Sequence, residues 1–437
     1  MAIGFEPRSA LASELRPPLS RDEALLEADR CLACGGLDAA APCTVACPVG
    51  VDVSSFIESI ADGNILAAAD TIFAENLLGG TCARVCPAEV LCEGACVLAH
   101  EGRRPIQIAA LQRFATDRAF DCELPLREVS PPTGRSVAVV GAGPAGLACA
   151  GELAARGYAV TVFESRDEIG GLVRFAIAPY RIEREPLPAE QRALEALGVR
   201  FELGWHVTCL DRLHGFDAVF LGVGLGDDVE LELPGGDLTG VWESLPFIEA
   251  LKTGARPDMG RRVVVIGGGN TAIDVARESL RLGADTVTLV YRRQREDMPA
   301  YGFEVEEAEQ EGVRFAWGSL PVRLLGLGRV TAVECVSMRA GEPDASGRSR
   351  PLPVPGTEFQ LRADTVVKAI GQQPRPELAG RFGGIELARG LVAVDESGRT
   401  SNRRVYAGGD AVDGGASVVE AVRHGKRAAV AIDESFR

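Results

Sequence analysis

Positive charge is in short supply in this 437-residue chain: 46 lysines and arginines face 62 aspartates and glutamates, for a net charge of −16. Such a balance repels a phosphate backbone and argues against nucleic acid as a partner. Long apolar runs are missing too. No stretch of 18 apolar residues is free of glycine or charge, so no membrane span is expected. The first residues, MAIGFEPRSALASELRPPLSRDE, hold neither an apolar signal core nor a basic leader, and a cytoplasmic chain is expected. Histidine is scarce. His100, His206, His214 and His424 stand apart with no nucleophile pattern nearby, and are expected to be structural or exposed. Aromatic residues make up only 5%, whereas glycine reaches 51 residues, which suits a chain with several nucleotide-binding turns. The length and the 46% hydrophobic content support two or three domains.

What is present centres on residues 137–164, VAVVGAGPAGLACAGELAARGYAVTVFE. An apolar run, Val137–Val140, reads as a buried parallel strand. Gly141-Ala142-Gly143-Pro144-Ala145-Gly146 follows, then a helix pattern from Leu147 to Arg156, then a second strand that delivers Glu164. This is a βαβ dinucleotide fingerprint in its full context. Gly141 permits the tight turn, Gly143 lets backbone N–H groups approach a pyrophosphate, and Gly146 lets helix and strand pack closely. Glu164 stands where an acid accepts from a ribose 2′-OH. A second glycine pair, Gly170-Gly171 before Leu172, reads either as a plain turn or as a closure around a flavin's ribityl or phosphate.

Eight of the twelve cysteines lie between Cys31 and Cys96. In a chain of this class such clustering argues for metal rather than disulfides. The first group is Cys31, Cys34, Cys43 and Cys47; the second is Cys82, Cys86, Cys92 and Cys96. Zinc would favour paired CxxC spacings, and only Cys31–Cys34 has one. Cys47 and Cys86 each precede proline, as is usual at iron–sulfur sites. Iron–sulfur is therefore the leading reading, with zinc and spare thiols as alternatives. Eight cysteines suffice by count for two [4Fe–4S] clusters, but count does not assign ligands. Around them, Ser20 and Glu23 form a capping box for a helix over 20–30, residues 54–78 read as helices broken near Gly63, and the proline-rich 122–134 reads as a linker.

A second βαβ unit begins at Arg262, VVVIGGGNTAIDVARESLRLGADTVTLVYRR, with Gly267, Gly269 and Ala272 at the G-x-G-x-x-A positions. Its second strand ends not in an acid but in Arg292 and Arg293, with Arg295 close by. Arginine there suits a 2′-phosphate and favours NADP(H) over NAD(H), although a solvated charged turn looks the same in sequence. Residues 186–203 read as a helix and a strand. Residues 321–363 read as antiparallel strands around a polar loop, Gly341–Pro355. Near the end, Val405–Ala411 reads as a strand, glycines and Asp410, before a helix over 417–432. Asp410 there suits flavin hydroxyls or a plain helix cap, and the helix start near Val418 suits charge on a reduced flavin ring.

With these motifs in place, the chain resembles the flavin/iron–sulfur electron-input subunit of bacterial dihydropyrimidine dehydrogenase, within a wider family that includes the glutamate synthase small subunit and a subunit of ferredoxin–NADP transhydrogenase. Both cysteine blocks, GAGPAGL, IGGGNTAIDVAR, VYRR…MPA and AGGDAVDGGASVVEAV carry the resemblance, from about residue 20 onward. It implies an N-terminal α-helical domain with two [4Fe–4S] clusters, one on Cys31, Cys34, Cys43 and Cys96, the other on Cys47, Cys86, Cys92 and Gln112. Cys82 would be a bystander. It also implies that Gly141, Gly143, Ala145, Gly146, Glu164, Gly171, Leu172, Gly409, Asp410 and Val418 serve FAD, and that Gly267, Gly269, Asn270, Thr271, Arg292 and Arg293 serve NADP(H), with NADH as the alternative. Where the family usually has four residues between its second and third cysteines, this chain has eight between Cys34 and Cys43, GGLDAAAP. The terminal AVDGGASVVEAV favours the pyrimidine or transhydrogenase branch over glutamate synthase.

The expected architecture is α+α/β: an α-helical bis-[4Fe–4S] domain with linker at 1–133, then two Rossmann-like domains, the second inserted in the first. FAD would bind 134–258 and 371–437, and NAD(P)H 259–370. The resemblance implies hydride passing from the nicotinamide to the flavin and electrons leaving singly through the clusters to a partner, an FMN-binding dehydrogenase or other redox subunit, in a hetero-oligomer. No acid–base residue is needed, since hydride transfer depends on alignment. A thioredoxin reductase-like enzyme would need a redox CxxC near the flavin, and Cys149, Cys209 and Cys335 are isolated. A non-catalytic cofactor-binding scaffold is the alternative from another class; it predicts bound cofactors without flavin reduction by NAD(P)H.

Overall fold

In the computed structural model the described residues are 14–36, 39–123, 127–182, 186–343 and 349–437. The chain divides into two compact units. One joins residues 16–174, 184–225 and 374–437; the other joins 1–15, 175–183 and 226–373.

The first unit begins with helices. α1 (Arg21–Ala28) starts at the capping box read from sequence: Ser20 Oγ accepts from the Glu23 amide at 3.3 Å, and Glu23 accepts from the Ser20 amide at 2.8 Å. α2 (Val53–Ala61) and α3 (Ile65–Glu75) are capped by Asp52 and Asn64, with the break at Gly63, whose φ of 77° suits glycine. α4 (Gly79–Val85) carries Cys82 and delivers Cys86, and α5 (Ile108–Asp121) carries Gln112. Phe56, Ile57, Ile60, Ile72 and Phe73 are buried between these helices. Part of the predicted linker, 124–126, lies outside the described residues; the rest packs on the parallel sheet and helices that follow, where the Ser130 amide donates to the Ala155 carbonyl at 2.9 Å.

The first parallel sheet and its helices follow as β1 (Ser136–Val140), α6 (Pro144–Ala155), β2 (Ala159–Phe163), α7 (Leu187–Ala196), β3 (Arg200–Glu202) and β4 (Ala218–Leu221). β1, β2 and β4 read as near-continuous apolar runs because parallel strands are covered on both faces.

In the second unit, β5 (Val241–Glu243) and α8 (Ser244–Lys252) precede residue 259, the expected start of the nucleotide domain, yet β5 already belongs to its sheet. Then come β6 (Arg262–Gly267), α9 (Asn270–Arg281), β7 (Thr286–Val290), α10 (Gly302–Glu311) and β8 (Arg314–Ala316). The antiparallel excursion is β9 (Ser319–Leu327), β10 (Arg329–Pro343), β11 (Ser349–Pro353) and β12 (Phe359–Arg362), before β13 (Thr365–Ala369). The strands occupy more of this stretch than the sequence indicated. β10 runs on to Pro343, and β11 pairs with it inside what read as a polar loop. Its prolines, Pro351 and Pro353, are tolerated because β11 is an edge strand. The parallel sheet runs β5-β13-β6-β7-β8.

The chain then returns to the first unit through the short hairpin β14 (Leu387–Ala388) and β15 (Leu391–Val392), then β16 (Val405–Ala407) and α11 (Val418–Ser435). β16 pairs with β4, giving the order β16-β4-β1-β2-β3. A strand from the far end of the chain thus completes the sheet that β1 began, so the second sheet is inserted within the first. Among the described residues no helix is long and apolar enough to cross a membrane.

Candidate functional site

Cys31, Cys34, Cys43 and Cys96 line one cavity, with Leu32, Pro42 and Ile57. Three sit before α2, and Cys96 is brought back by the turn that follows Cys92. Burial pushes the Cys31 thiol up and the Cys43 thiol up to about 11. Cys47, Cys86 and Cys92 form a second group: burial pushes the Cys47 and Cys92 thiols up, Cys47 adds to the rise at Cys92, and Cys47 and Cys92 both add to the rise at Cys86. Cys82 belongs to this group as well: its contact with Cys86 is the largest cause of that thiol's upward shift. Gln112 Nε2 donates to the Gly79 carbonyl at 2.8 Å, so its amide orientation is fixed from α4. Among the described residues no three His, Cys, Asp or Glu converge tightly enough for a single metal ion. A cluster spaces its ligands more widely than one ion does, and two all-thiol groups with no histidine fit iron–sulfur better than a mononuclear centre.

The first glycine turn is built as its residues predict. Gly141 has φ 99°, and a side chain on Gly146 would sit 1.9 Å from the Gly141 carbonyl oxygen. No side chain caps α6, leaving its first-turn amides for an anion. Glu164 is buried at the end of β2, where Oε2 accepts from the Ala142 amide at 2.8 Å. The ambiguous second glycine pair lies directly on this turn: the Gly170 amide donates to the Ala142 carbonyl at 2.8 Å, and a Cβ on Gly171 would lie 3.0 Å from Gly143 Cα. Ala145 is buried in α6, and Leu172 is partly exposed beside the pair. Gly409 reaches the same place from the far end of the chain; a Cβ there would lie 3.0 Å from that of Ala145. Burial, with Asp413 adding to it, pushes the Asp410 carboxyl up to about 6. Val418 opens α11, whose cap Ser417 accepts from the Glu420 amide at 3.3 Å.

In the second unit, a Cβ on Gly267 would meet the Ala369 carbonyl oxygen at 2.1 Å, so this position needs glycine. Gly269 precedes α9 and faces open space, and no side chain caps that helix. Thr271 is exposed in its first turn, whereas Asn270 Oδ1 accepts from the Tyr301 amide at 3.0 Å. The arginines separate by role. Arg293 Nε donates to the Ser349 carbonyl at 3.0 Å, and Arg295 pairs with Glu309 at 2.7 Å. Arg292 is exposed at the end of β7.

Two glycine turns, each between a parallel strand and a helix with no side-chain cap, suit two dinucleotides, and the two cysteine groups suit iron–sulfur. The profile of the pyridine nucleotide-disulphide oxidoreductases matches residues 135–425, and that of dihydropyrimidine dehydrogenase domain II, 4Fe-4S cluster, matches residues 8–124. The small chain of NADPH glutamate synthase from Halomonas elongata is 38% identical, over 96% of this chain and 92% of that one. The chain belongs to the glutamate synthase small-subunit-like family. The beta subunit of an NADP(+)-dependent formate dehydrogenase from Moorella thermoacetica is 39% identical, over 91% of this chain and 60% of that one. The Mycobacterium tuberculosis protein FprA, in complex with NADPH, shares the fold at a TM-score of 0.59 and 21% identity, over 70% of this chain and 85% of that one. This family member is an NAD(P)H-dependent oxidoreductase that uses FAD and 4Fe–4S iron–sulfur centres. These relatives favour glutamate synthase small chains over the pyrimidine branch that the terminal AVDGGASVVEAV favours in sequence.

Sequence reading missed Arg127, Glu190 and Lys426. Arg127 donates to the Phe73 carbonyl at 2.9 Å and pairs with Glu152 at 2.6 Å. Glu190, fully buried in α7, accepts from the Thr81 amide at 2.8 Å and the Thr81 hydroxyl at 2.6 Å; burial pushes its carboxyl up to about 7. Their partners lie far away in the chain, so no local pattern announces them.

Proposed function

We propose that the chain is the NADPH-oxidising input subunit of a glutamate synthase-type complex, delivering electrons to a larger partner that holds the substrate site. What supports the delivery role most is the cavity shared by Cys31, Cys34, Cys43 and Cys96, in one compact unit with the flavin turn. In this reading those four hold one cluster, and Cys47, Cys86, Cys92 and Gln112 hold the other. Gly141, Gly143, Ala145, Gly146, Glu164, Gly171, Leu172, Gly409, Asp410 and Val418 hold FAD. Gly267, Gly269, Asn270, Thr271, Arg292 and Arg293 hold the nucleotide. When bound, the nicotinamide supplies a hydride, the flavin takes two electrons and the clusters carry them one at a time. The chain's own residues bind and align. The glycine turns admit the pyrophosphates, Glu164 retains acceptor capacity beyond the Ala142 amide, and Arg292 offers a fork for a 2′-phosphate. A reduced, cytoplasmic setting fits the cysteines, all of which are free thiols.

The glutamate synthase assignment is favoured because the chain spans nearly the whole of that small chain, but only 60% of the formate dehydrogenase subunit. A second reading, delivery to a pyrimidine-reducing FMN subunit, rests on the family profile over residues 8–124. The deciding experiment mixes the purified, anaerobic chain with NADPH or NADH in a stopped-flow instrument, then follows cluster signals by EPR. Rapid flavin bleaching by NADPH supports the input role. Bound cofactors that neither nucleotide reduces would overturn it in favour of a scaffold. Co-purification with a glutaminase-containing chain or with an FMN-binding barrel then separates the two deliveries.

A further inference from the structure

Three consecutive residues of α11 touch three parts of the first unit. His424 Nδ1 accepts from the Gly409 amide at 3.2 Å, next to Asp410. Gly425 lies against α6: a Cβ there would meet the Ala145 carbonyl oxygen at 2.1 Å. Lys426 then reaches the cysteine domain, where its ammonium donates to the Val49 and Glu75 carbonyls at 3.2 Å each and pairs with the Glu75 carboxylate. Glu75 ends α3, so this cation also caps the last carbonyl of that helix. The Val49 contact differs in kind. Val49 follows Cys47-Pro48, and the Gly50 amide donates to the Cys47 carbonyl at 3.0 Å, closing the turn that carries Cys47. The Val49 carbonyl and the Gly50 amide belong to one peptide group. A cation on its oxygen makes its N–H a stronger donor and so firms this turn.

We propose that Lys426 is a positioning residue for electron transfer: it fastens the Cys47 loop to α11 and, as a positive charge fixed on that loop, raises the reduction potential of the cluster on Cys47. The proposal rests on the assignment of Cys47 as a cluster ligand. Reduction adds one electron, and so one negative charge, to the cluster. A fixed positive charge stabilises that state, and the net charge around a cluster is a recognised determinant of its potential. The Glu75 carboxylate offsets part of the charge, but its side chain is 42% exposed, against 24% for Lys426, so water screens it more. The same contacts keep the Cys47 loop in register with α6 and the Gly409 turn.

The test is an EPR-monitored redox titration of the full chain, reconstituted anaerobically with FAD, iron and sulfide. Lys426→Met is expected to shift only the second cluster to lower potential. The expected fall in its reduced-to-oxidised ratio at fixed ambient potential is about tenfold, equivalent to about 59 mV for a one-electron couple. Amide hydrogen exchange across residues 47–51 is expected to quicken. Lys426→Arg restores both, and Lys426→Gln, which keeps a donor without the charge, keeps slow exchange with the lowered potential. If Lys426→Met does not fold, Lys426→Gln gives the same potential measurement. Two intact clusters with unmoved potentials, or equal shifts in both, overturn the proposal alone. A wild-type chain with only one cluster overturns the two-cluster assignment and this proposal with it.

Discussion

At the scale of single residues, the arginines after β7 carry different burdens, and the difference can be tested. Arg293 and Arg295 already serve the Ser349 carbonyl and Glu309. Arg292, also exposed, is the proposed partner of the 2′-phosphate. A charge-assisted hydrogen bond is worth about 1.5–3 kcal/mol, so Arg292→Ala should raise KM for NADPH by roughly 10- to 100-fold. KM for NADH should stay nearly constant. Steady-state kinetics with an artificial acceptor reads both, and equal losses for the two nucleotides would assign Arg292 to the fold. Asp410 gives a prediction of the opposite kind. Its carboxyl is pushed from 3.8 to about 6 by burial and by Asp413. The folded chain therefore binds a proton there that the unfolded chain has already released, and this residue's contribution to stability falls as pH rises from about 4 to about 6. Asp410→Asn removes the penalty. The cofactor-free variant should melt higher than wild type above pH 6, by about 1–3 kcal/mol, and the two should converge near pH 4. The same substitution should weaken FAD binding, which separates a ligand-holding acid from a turn residue.

At the scale of elements, α6 and α11 pack directly on each other. Gly425 lets α11 lie on the first turn of α6, with no room for a methyl group beside the Ala145 carbonyl. Gly425→Ala should cost about 1–3 kcal/mol through overpacking. It should also displace the helix that carries His424 and Lys426, so FAD retention should fall along with the melting temperature. Unchanged FAD retention in a destabilised protein would confine α11 to a packing role. Much at this scale is legible in sequence because the signals are local. The Ser20 capping box, the break at Gly63 and both glycine turns each depend on residues a few positions apart. The excursion β9–β12 shows the limit. Nothing local marks Ser349–Pro353 as a strand, since its prolines are acceptable only at the edge against β10. Likewise, β5 joins its sheet through β13, more than a hundred residues later. The clustering of the cysteines is legible in sequence, but the place of Cys82 beside Cys86 follows from the turn of α4.

At the scale of the whole molecule, division into two units makes cofactors act separately on stability. The cysteine helices and the flavin sheet share one unit, joined by buried or half-buried polar contacts: Glu190 with Thr81, Arg127 with Glu152 and the Phe73 carbonyl, and Lys426 with Val49. Breaking such ties leaves unpaired polar groups, so cluster and flavin regions should unfold together. The nucleotide sheet has its own core, including Val263, Val265, Ile273, Val287 and Leu289. Ligands that bind only the folded form stabilise it by about 2.7 kcal/mol at 100 times Kd. Differential scanning calorimetry should therefore resolve two transitions. FAD and iron–sulfur loading should raise one, and NADP+ should raise the other. Removing iron with a chelator should lower the first, and flavin should be lost with it. A single transition moved equally by NADP+ and by FAD would mean that the two units unfold as one, and cluster loss would then weaken nucleotide binding as much as flavin binding.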